Sequence, residues 1–169
     1  KEVIIIGAHL DHLGKCYEMM PGANDNASAV AVMIGVAKAL AQNHIPLKRS
    51  VMFISFGSEE QGLLGSNKYI EDPVFPLENS VLLNMDGVGA GKSISTNAGE
   101  NFPVMWSFVK DANTSYIHAN LNTNFFSNLG RPRLDAAIFM RAGVPSLSFA
   151  TSGSPSPYHL PGDNVEIIN

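Results

Sequence analysis

Four short apolar runs alternate with stretches of helical spacing, and this alternation constrains the fold more than any other feature of the chain. Continuous β-branched and apolar residues are typical of parallel strands that are buried on both faces, so the runs predict strands at residues 3–6, 51–56, 81–85 and 144–149. Helices are predicted at residues 27–41, 63–70, 102–110 and 131–141. Buried strands that alternate with helices predict an α/β sandwich with a largely parallel sheet.

The first predicted helix has the clearest pattern. Residues 24–26 supply side chains that can cap its beginning. Its apolar residues are expected to share one face, and they are Val30, Met33, Ile34, Ala37, Leu40 and Ala41.

Length and composition predict one compact domain. The chain has 169 residues, of which 45% are hydrophobic and 15% charged, enough for a single core. We therefore expect one domain over residues 1–169. The sequence begins inside a strand and stops soon after Asp163, so we expect a domain trimmed at both ends.

Charge, hydropathy and cysteine content argue against nucleic-acid binding, a membrane span and an internal disulfide. The formal net charge of −4 does not favour nucleic acid. No apolar run approaches the ~20 residues that cross a bilayer, so no membrane span is predicted. The single cysteine, Cys16, can form no internal disulfide, and we do not interpret it as a nucleophile.

Residues that can bind metal follow the predicted strands where each strand ends. The carboxyl ends of parallel strands meet at one edge of a sheet, where open α/β folds bind their ligands. We therefore expect these side chains to converge. The set consists of His9, Asp11, Asp25, Glu59, Glu60, Asp86 and His159.

The residue types in this set suit catalytic zinc. Imidazole and carboxylate are its usual ligands in sites that keep a position open for water, and no cysteine cluster indicates structural zinc. The ligands are too many for one tetrahedral ion. They suit two ions roughly 3.5–4 Å apart that share a carboxylate. Because Glu59 and Glu60 are adjacent and point in different directions, one can bind metal while the other moves protons.

Five motifs, spread in order over nearly the whole chain, together resemble the M28 metallopeptidases, which are largely zinc aminopeptidases with two metal ions. The motifs are GAHLDH (7–12), PGANDNASA (21–29), SEEQGLLGS (58–66), NMD (84–86) and YHLPGD (158–163). The resemblance implies a three-layer α/β/α sandwich with a mostly parallel, mixed central sheet, as in zinc aminopeptidases and phosphorylase-hydrolases. It also implies peptide substrates and favours an extracytoplasmic location, either periplasmic or secreted.

The same resemblance implies a role for each matching residue. One Zn²⁺ would be bound by His9 and Asp86, a second Zn²⁺ by Glu60 and His159, and Asp25 would bridge the two. A metal-bridged hydroxide would hydrolyse N-terminal peptide bonds with Glu59 as general base and acid, and Tyr158 would stabilise the oxyanion. Asp11 would orient His9 through the ring nitrogen that does not bind the metal. The resemblance further implies a cis peptide bond between Asp25 and Asn26.

The sequence departs from the family pattern ahead of the last strand. Where the family often has Ser-Asp-His or Ser-Asp-Gln, residues 134–136 read Leu-Asp-Ala, so Ala136 offers a substrate no polar group. This departure leaves the predicted metal ligands unchanged but affects which substrates the site would prefer. Two neighbouring arginines, Arg131 and Arg133, are not assigned to the substrate.

Other functions and roles remain open at this point. A glutaminyl cyclase-like enzyme with one zinc would usually have tryptophan where Tyr158 stands. A carboxypeptidase, a dipeptidase and a non-catalytic binding module on the same fold are further alternatives. Asp163 is either a turn residue or a support behind the ligands. The remaining histidines are predicted to be structural or exposed, and they are His12, His44 and His118.

Overall fold

A six-stranded mixed sheet forms the centre of the fold. The computed structural model describes residues 2–15, 17–44, 46–97, 102–112, 117–119, 134–152 and 157–169. The strands of the sheet are β1 (Val3–His9), β4 (Ser50–Phe56), β5 (Ser80–Met85), β6 (Ser93–Asn97), β7 (Ile117–Ala119) and β8 (Ser146–Ser152). Their spatial order is β4-β1-β5-β8-β6-β7. A separate two-stranded sheet pairs β2 (Gly14–Lys15) with β3 (Met19–Met20).

Four neighbouring strands of the central sheet run parallel. β4, β1, β5 and β8 pair in parallel, so their carboxyl ends lie at one edge. β6 runs antiparallel to β8 and parallel to β7, which makes the sheet mixed. The expected mostly parallel sheet is therefore confirmed.

Helices cover both faces of this sheet. They are α1 (Ala29–Gln42), α2 (Leu64–Glu71), α3 (Phe102–Asp111) and α4 (Asp135–Arg141). On one face, Ile5 of β1 packs with Tyr69 of α2 and Phe139 of α4. On the other, Ala8 of β1 packs with Met33 of α1. Residues two apart along β1 point to the same face, so this alternation produces the predicted three-layer sandwich.

The beginning of α1 differs from the prediction. Residues 24–26 do not cap this helix, and Ser28 at its N-cap makes no side-chain capping bond. Residues Ala23–Ser28 instead form a wide turn that contains the cis Asp25–Asn26 peptide bond, as the family resemblance implied. The helix therefore begins two residues later than predicted. Its apolar face is only partly covered by described residues, because Ile34 is 47% exposed.

The remaining differences concern the second half of the chain. β6 and β7 were not predicted, because their sequences are short and contain polar residues. The described part of the last predicted helix begins at Asp135, and residues 131–133 lie outside the described residues. β8 extends to Ser152, beyond the predicted end of the strand at residue 149. In the part of the chain that the structure describes, no helix is long and apolar enough to cross a membrane.

Candidate metal centre

The carboxyl edge of the parallel strands brings the predicted ligands together. His9 is the last residue of β1, and Asp86 directly follows β5. Glu60 follows β4, and His159 lies beyond the end of β8. Asp25 lies in the wide turn ahead of α1. The convergence follows from the topology, because strands β4, β1, β5 and β8 are neighbours in the sheet.

The Asp25 carboxylate lies between two pairs of side chains. Its Oδ1 is 3.1 Å from His9 Nε2, which is in turn 3.6 Å from Asp86 Oδ1. Its Oδ2 is 3.4 Å from His159 Nε2, which is 2.8 Å from Glu60 Oε2. Each oxygen of this one carboxylate therefore faces a different histidine and a different second carboxylate.

Several buried polar atoms at the site make no well-directed hydrogen bond to the described residues. Glu60 Oε1 and His159 Nε2 are two of them, although each lies close to another polar atom of the site. Such atoms are costly unless a ligand satisfies them. In two groups of three residues, each residue offers one ligand atom, and the three atoms of a group lie within 4.8 Å of one another. One group is His9, Glu59 and Asp86, and the other is His12, Asp25 and Glu60. The donor types, nitrogen and carboxylate oxygen, fit zinc.

Asp11 supports the site differently from the prediction. The His9 ring donates from Nδ1 to the main-chain carbonyl of Asp11 at 3.0 Å, whereas the Asp11 carboxylate is 3.8 Å away. That carboxylate instead accepts from the backbone N–H groups of Glu59, at 3.0 Å, and Glu60, at 3.2 Å. Asp11 thus fixes both adjacent glutamates, and its main chain rather than its side chain orients His9.

Side chains of the wide turn hold it against the loop after β5. Asn24 Oδ1 accepts from the N–H groups of Gly89 and Ala90, at 2.8 and 2.9 Å. Asn26 Oδ1 accepts from Gly87 N–H at 2.9 Å, and Asn26 Nδ2 donates to Met85 at 3.1 Å. These bonds explain why the residues do not cap α1. They fix the position of the Asp25 carboxylate relative to the end of β5.

Asp163 holds the same turn from the other side. It is fully buried, and its carboxylate accepts from the backbone N–H groups of Asn24, at 2.7 Å, and Asp25, at 3.0 Å. Asp163 therefore holds the backbone that carries Asp25, which agrees with its interpretation as a support behind the predicted ligands.

Crowded carboxylates and burial shift the pKa values at the site. Burial lowers the pKa of His9, but hydrogen bonds to Asp25 and Asp86 outweigh this effect and raise it to about 11. Burial, with repulsion from Asp86 and other carboxylates, raises the pKa of Glu59 to about 8 against the opposing effect of His9. Burial and the charge of Asp25 also raise the pKa of Glu60. Negative charge therefore exceeds what these side chains can balance, and a bound cation would offset it.

Tyr158 lies at the rim of the centre. It is 58% exposed, and its ring stacks on His159 at a centroid distance of 3.7 Å. Burial of its hydroxyl and the nearby Asp25 and Glu60 carboxylates raise the pKa of Tyr158, so the group keeps its proton and can donate. The predicted oxyanion donor is thus placed beside one of the predicted ligands.

His12 was predicted to be structural or exposed, and the structure excludes the exposed alternative. Its side chain is 8% exposed, and Nδ1 lies 2.8 Å from Glu60 Oε1. A lone histidine three residues after His9 carries no periodic signal, so the sequence did not indicate this contact. His44 is exposed as predicted, whereas the side chain of His118 and residues Cys16, Arg131 and Arg133 lie outside the described part of the structure.

Asp135 is a buried carboxylate to which the sequence assigned no role. It is fully buried at the start of α4, beside the buried Ala136. Neither of its carboxylate oxygens has a well-directed hydrogen bond among the described residues. Burial raises its pKa to about 6, although the nearby Ser66 hydroxyl opposes the shift.

This raised pKa predicts that Asp135→Asn stabilises the metal-free chain at high pH. The folded state binds the proton more tightly than the unfolded state, so stability is lost as pH rises from about 4 to about 6. Two pKa units correspond to about 3 kcal/mol in the free energy of unfolding. We expect urea denaturation at pH 8 to show a gain of this order for the variant, shrinking towards pH 4. A variant that is less stable than the parent at pH 8 would contradict this account.

The fold and the site together define an α/β sandwich with a candidate metal centre, because a largely parallel sheet carries histidines and carboxylates at its carboxyl edge. The model of the family described as peptidase family M28 matches residues 1–169. The chain belongs to peptidase family M28.

Named relatives agree with this assignment. Aminopeptidase YwaD of Bacillus subtilis is 29% identical over 184 residues, covering 99% of this chain and 37% of that protein. A vacuolar membrane protease of Candida dubliniensis is 27% identical over 166 residues, covering 98% of this chain and 17% of that protein. The solved structure of BSAP, a zinc aminopeptidase from Bacillus subtilis, has a TM-score of 0.74 at 26% identity, covering 99% of this chain and 41% of that chain. The chain thus spans well under half the length of each.

Proposed function

We propose that this chain is the catalytic part of a zinc-dependent aminopeptidase that uses two ions bridged by Asp25. The observation that carries this proposal is the placement of the two Asp25 oxygens, 3.1 Å from His9 and 3.4 Å from His159. One ion would be held by His9, Asp25 and Asp86. The other would be held by Asp25, Glu60 and His159. The similarity to enzymes named as zinc aminopeptidases supports the metal and the reaction class.

Glu59 is the proposed general base. When bound, zinc supplies a Lewis acid that activates water near neutral pH and polarises the carbonyl of the scissile bond. The Glu59 carboxylate lies within reach of the ligand atoms of His9 and Asp86 and is fixed through its backbone by Asp11. It would take a proton from the attacking water and pass it to the leaving amine.

Tyr158 would position the carbonyl group of the substrate. The Tyr158 hydroxyl, which keeps its proton because its pKa is raised, would donate a hydrogen bond to the oxygen of the carbonyl under attack. Because the bound ions would offset the carboxylates that hold them, the charge of the site does not by itself select the substrate. The similarity to enzymes named as aminopeptidases is the reason to propose an aminopeptidase over a carboxypeptidase.

The free amine provides the test. We expect the zinc-loaded chain to cleave leucine p-nitroanilide and to cleave its N-acetyl derivative at least about a hundredfold more slowly. Glutaminyl peptides with a free amine and N-blocked peptides with a free carboxylate are assayed in parallel. Cyclisation of the first without hydrolysis would favour the glutaminyl cyclase reading. Cleavage of the second alone would favour a carboxypeptidase, and no turnover of any substrate by a zinc-loaded, folded chain would favour a binding module.

An extracytoplasmic location is a further part of this proposal. The family resemblance favours it, and one relative is named for a vacuolar membrane. Separation of the producing cells into cytoplasmic and extracytoplasmic fractions, followed by immunoblotting, tests the location. Protein found only in the cytoplasmic fraction would contradict it.

A further inference from the structure

A third histidine lies at the metal centre. His12 follows β1 in the loop that begins after His9, and its side chain is almost fully buried. Its Nδ1 lies 2.8 Å from Glu60 Oε1 and 3.8 Å from Asp25 Oδ2. It therefore faces the two carboxylates proposed for one particular ion, the one also held by His159.

The contact between His12 and Glu60 is not a hydrogen bond. Neither nitrogen of the His12 ring and neither lone pair of Glu60 Oε1 has a well-directed hydrogen bond among the described residues, although the two atoms are at contact distance. A buried imidazole with both nitrogens unpaired is costly. A nitrogen and an oxygen that lie close without pointing at each other are arranged as two ligands of one ion would be.

The surrounding backbone holds the His12 ring in this position. Gly22 has a φ of +67°, and a Cβ built on it would lie 2.5 Å from His12 Cγ and 2.5 Å from the main-chain oxygen of Asp25. Only glycine therefore lets the turn approach the ring this closely. On its other side the ring meets His159 edge to face, at a centroid distance of 5.7 Å. The ring is packed between the turn that carries Asp25 and the loop that carries His159.

We propose that His12 Nδ1 is an additional ligand of the ion held by Asp25, Glu60 and His159. This inference rests on the proposed two-zinc centre and adds to it. The two sites are then unequal, since one has two histidines and two carboxylates whereas the other has His9, Asp86 and the shared Asp25. The ion beside His12 is the more tightly held of the two.

The test compares two His12 variants with a matched control. His12→Phe keeps a ring in the space beside Gly22 but has no nitrogen, and His12→Gln serves if the first does not fold. His44→Asn is the control, because His44 is exposed with a φ of 48°, a conformation that asparagine tolerates. The readouts are zinc affinities from competition with a chromophoric chelator and the visible spectrum of the cobalt-loaded chain.

We expect His12→Phe to weaken the tighter of the two zinc sites at least about tenfold, since even partners behind a metal ligand contribute about 10- to 100-fold. The cobalt absorption of that site should change as well, and the control should match the parent. Unchanged affinities would overturn the inference. A weaker affinity with an unchanged cobalt spectrum would also overturn it, because His12 would then act on Glu60 rather than on the ion. A parent chain that binds no zinc would instead overturn the proposed function itself.

Discussion

Replacing Glu59 by glutamine is expected to lower kcat by about 10²- to 10⁴-fold, which is the usual contribution of a positioned general base. The amide cannot take a proton from water, yet it keeps the size of the side chain. Zinc content should remain that of the parent, because the proposed ligands of both ions are other residues. Steady-state kinetics on leucine p-nitroanilide and metal analysis of the same samples provide the two readouts.

A matched control separates this effect from a general change of charge. Glu78→Gln removes an exposed carboxylate, which lies just before β5 at the opposite end of that strand from Asp86. We expect it to keep the kcat of the parent. If Glu59→Gln retained full kcat, or lost zinc, Glu59 would not be the base, and a role as a metal ligand would become the better reading.

Replacing Asp25 by alanine is expected to weaken the binding of both ions, which is the second large effect. One carboxylate faces both histidines, so its loss weakens two sites at once. We expect the affinities for both ions to fall, and the rise in Tm when zinc is added to be smaller than in the parent, because a ligand stabilises a fold only in proportion to its binding.

Asp86→Ala is the matched comparison for this prediction. Asp86 approaches only His9 among the histidines at the centre, so its loss should leave one zinc per chain. Two retained zincs in Asp25→Ala would argue against a bridging carboxylate. Equal zinc loss in the two variants would show that Asp25 serves a single ion.

The sequence predicted the strands that carry the site because their signal is strong. The run from Val3 to Ile6 is continuous and β-branched, and such runs have few alternatives to a buried parallel strand. The ends of such strands then indicate where His9 and Asp86 meet. β6, by contrast, has the sequence SISTN, and its pairing with β8 and β7 makes it a strand. Tertiary context decided this element, and a local pattern could not reveal it.

Supporting residues were harder to predict than ligands. Asn24 and Asn26 stand ahead of a helix, where such residues usually cap, and local spacing favours that interpretation. Their actual partners, Gly87 and Gly89, are more than 60 residues away. The Asp11 carboxylate was likewise expected to contact its near neighbour His9, and it binds the backbone of Glu59 instead. Long-range hydrogen bonds leave no periodic trace in a sequence.

The number of zinc ions bound per folded chain, determined by metal analysis after loading and removal of excess metal, tests the proposed pair of ions. We expect two per chain, released in two steps of unequal affinity during titration with a chelator. One ion per chain would contradict the bridged pair. No bound zinc in a folded sample would contradict the metal centre as a whole.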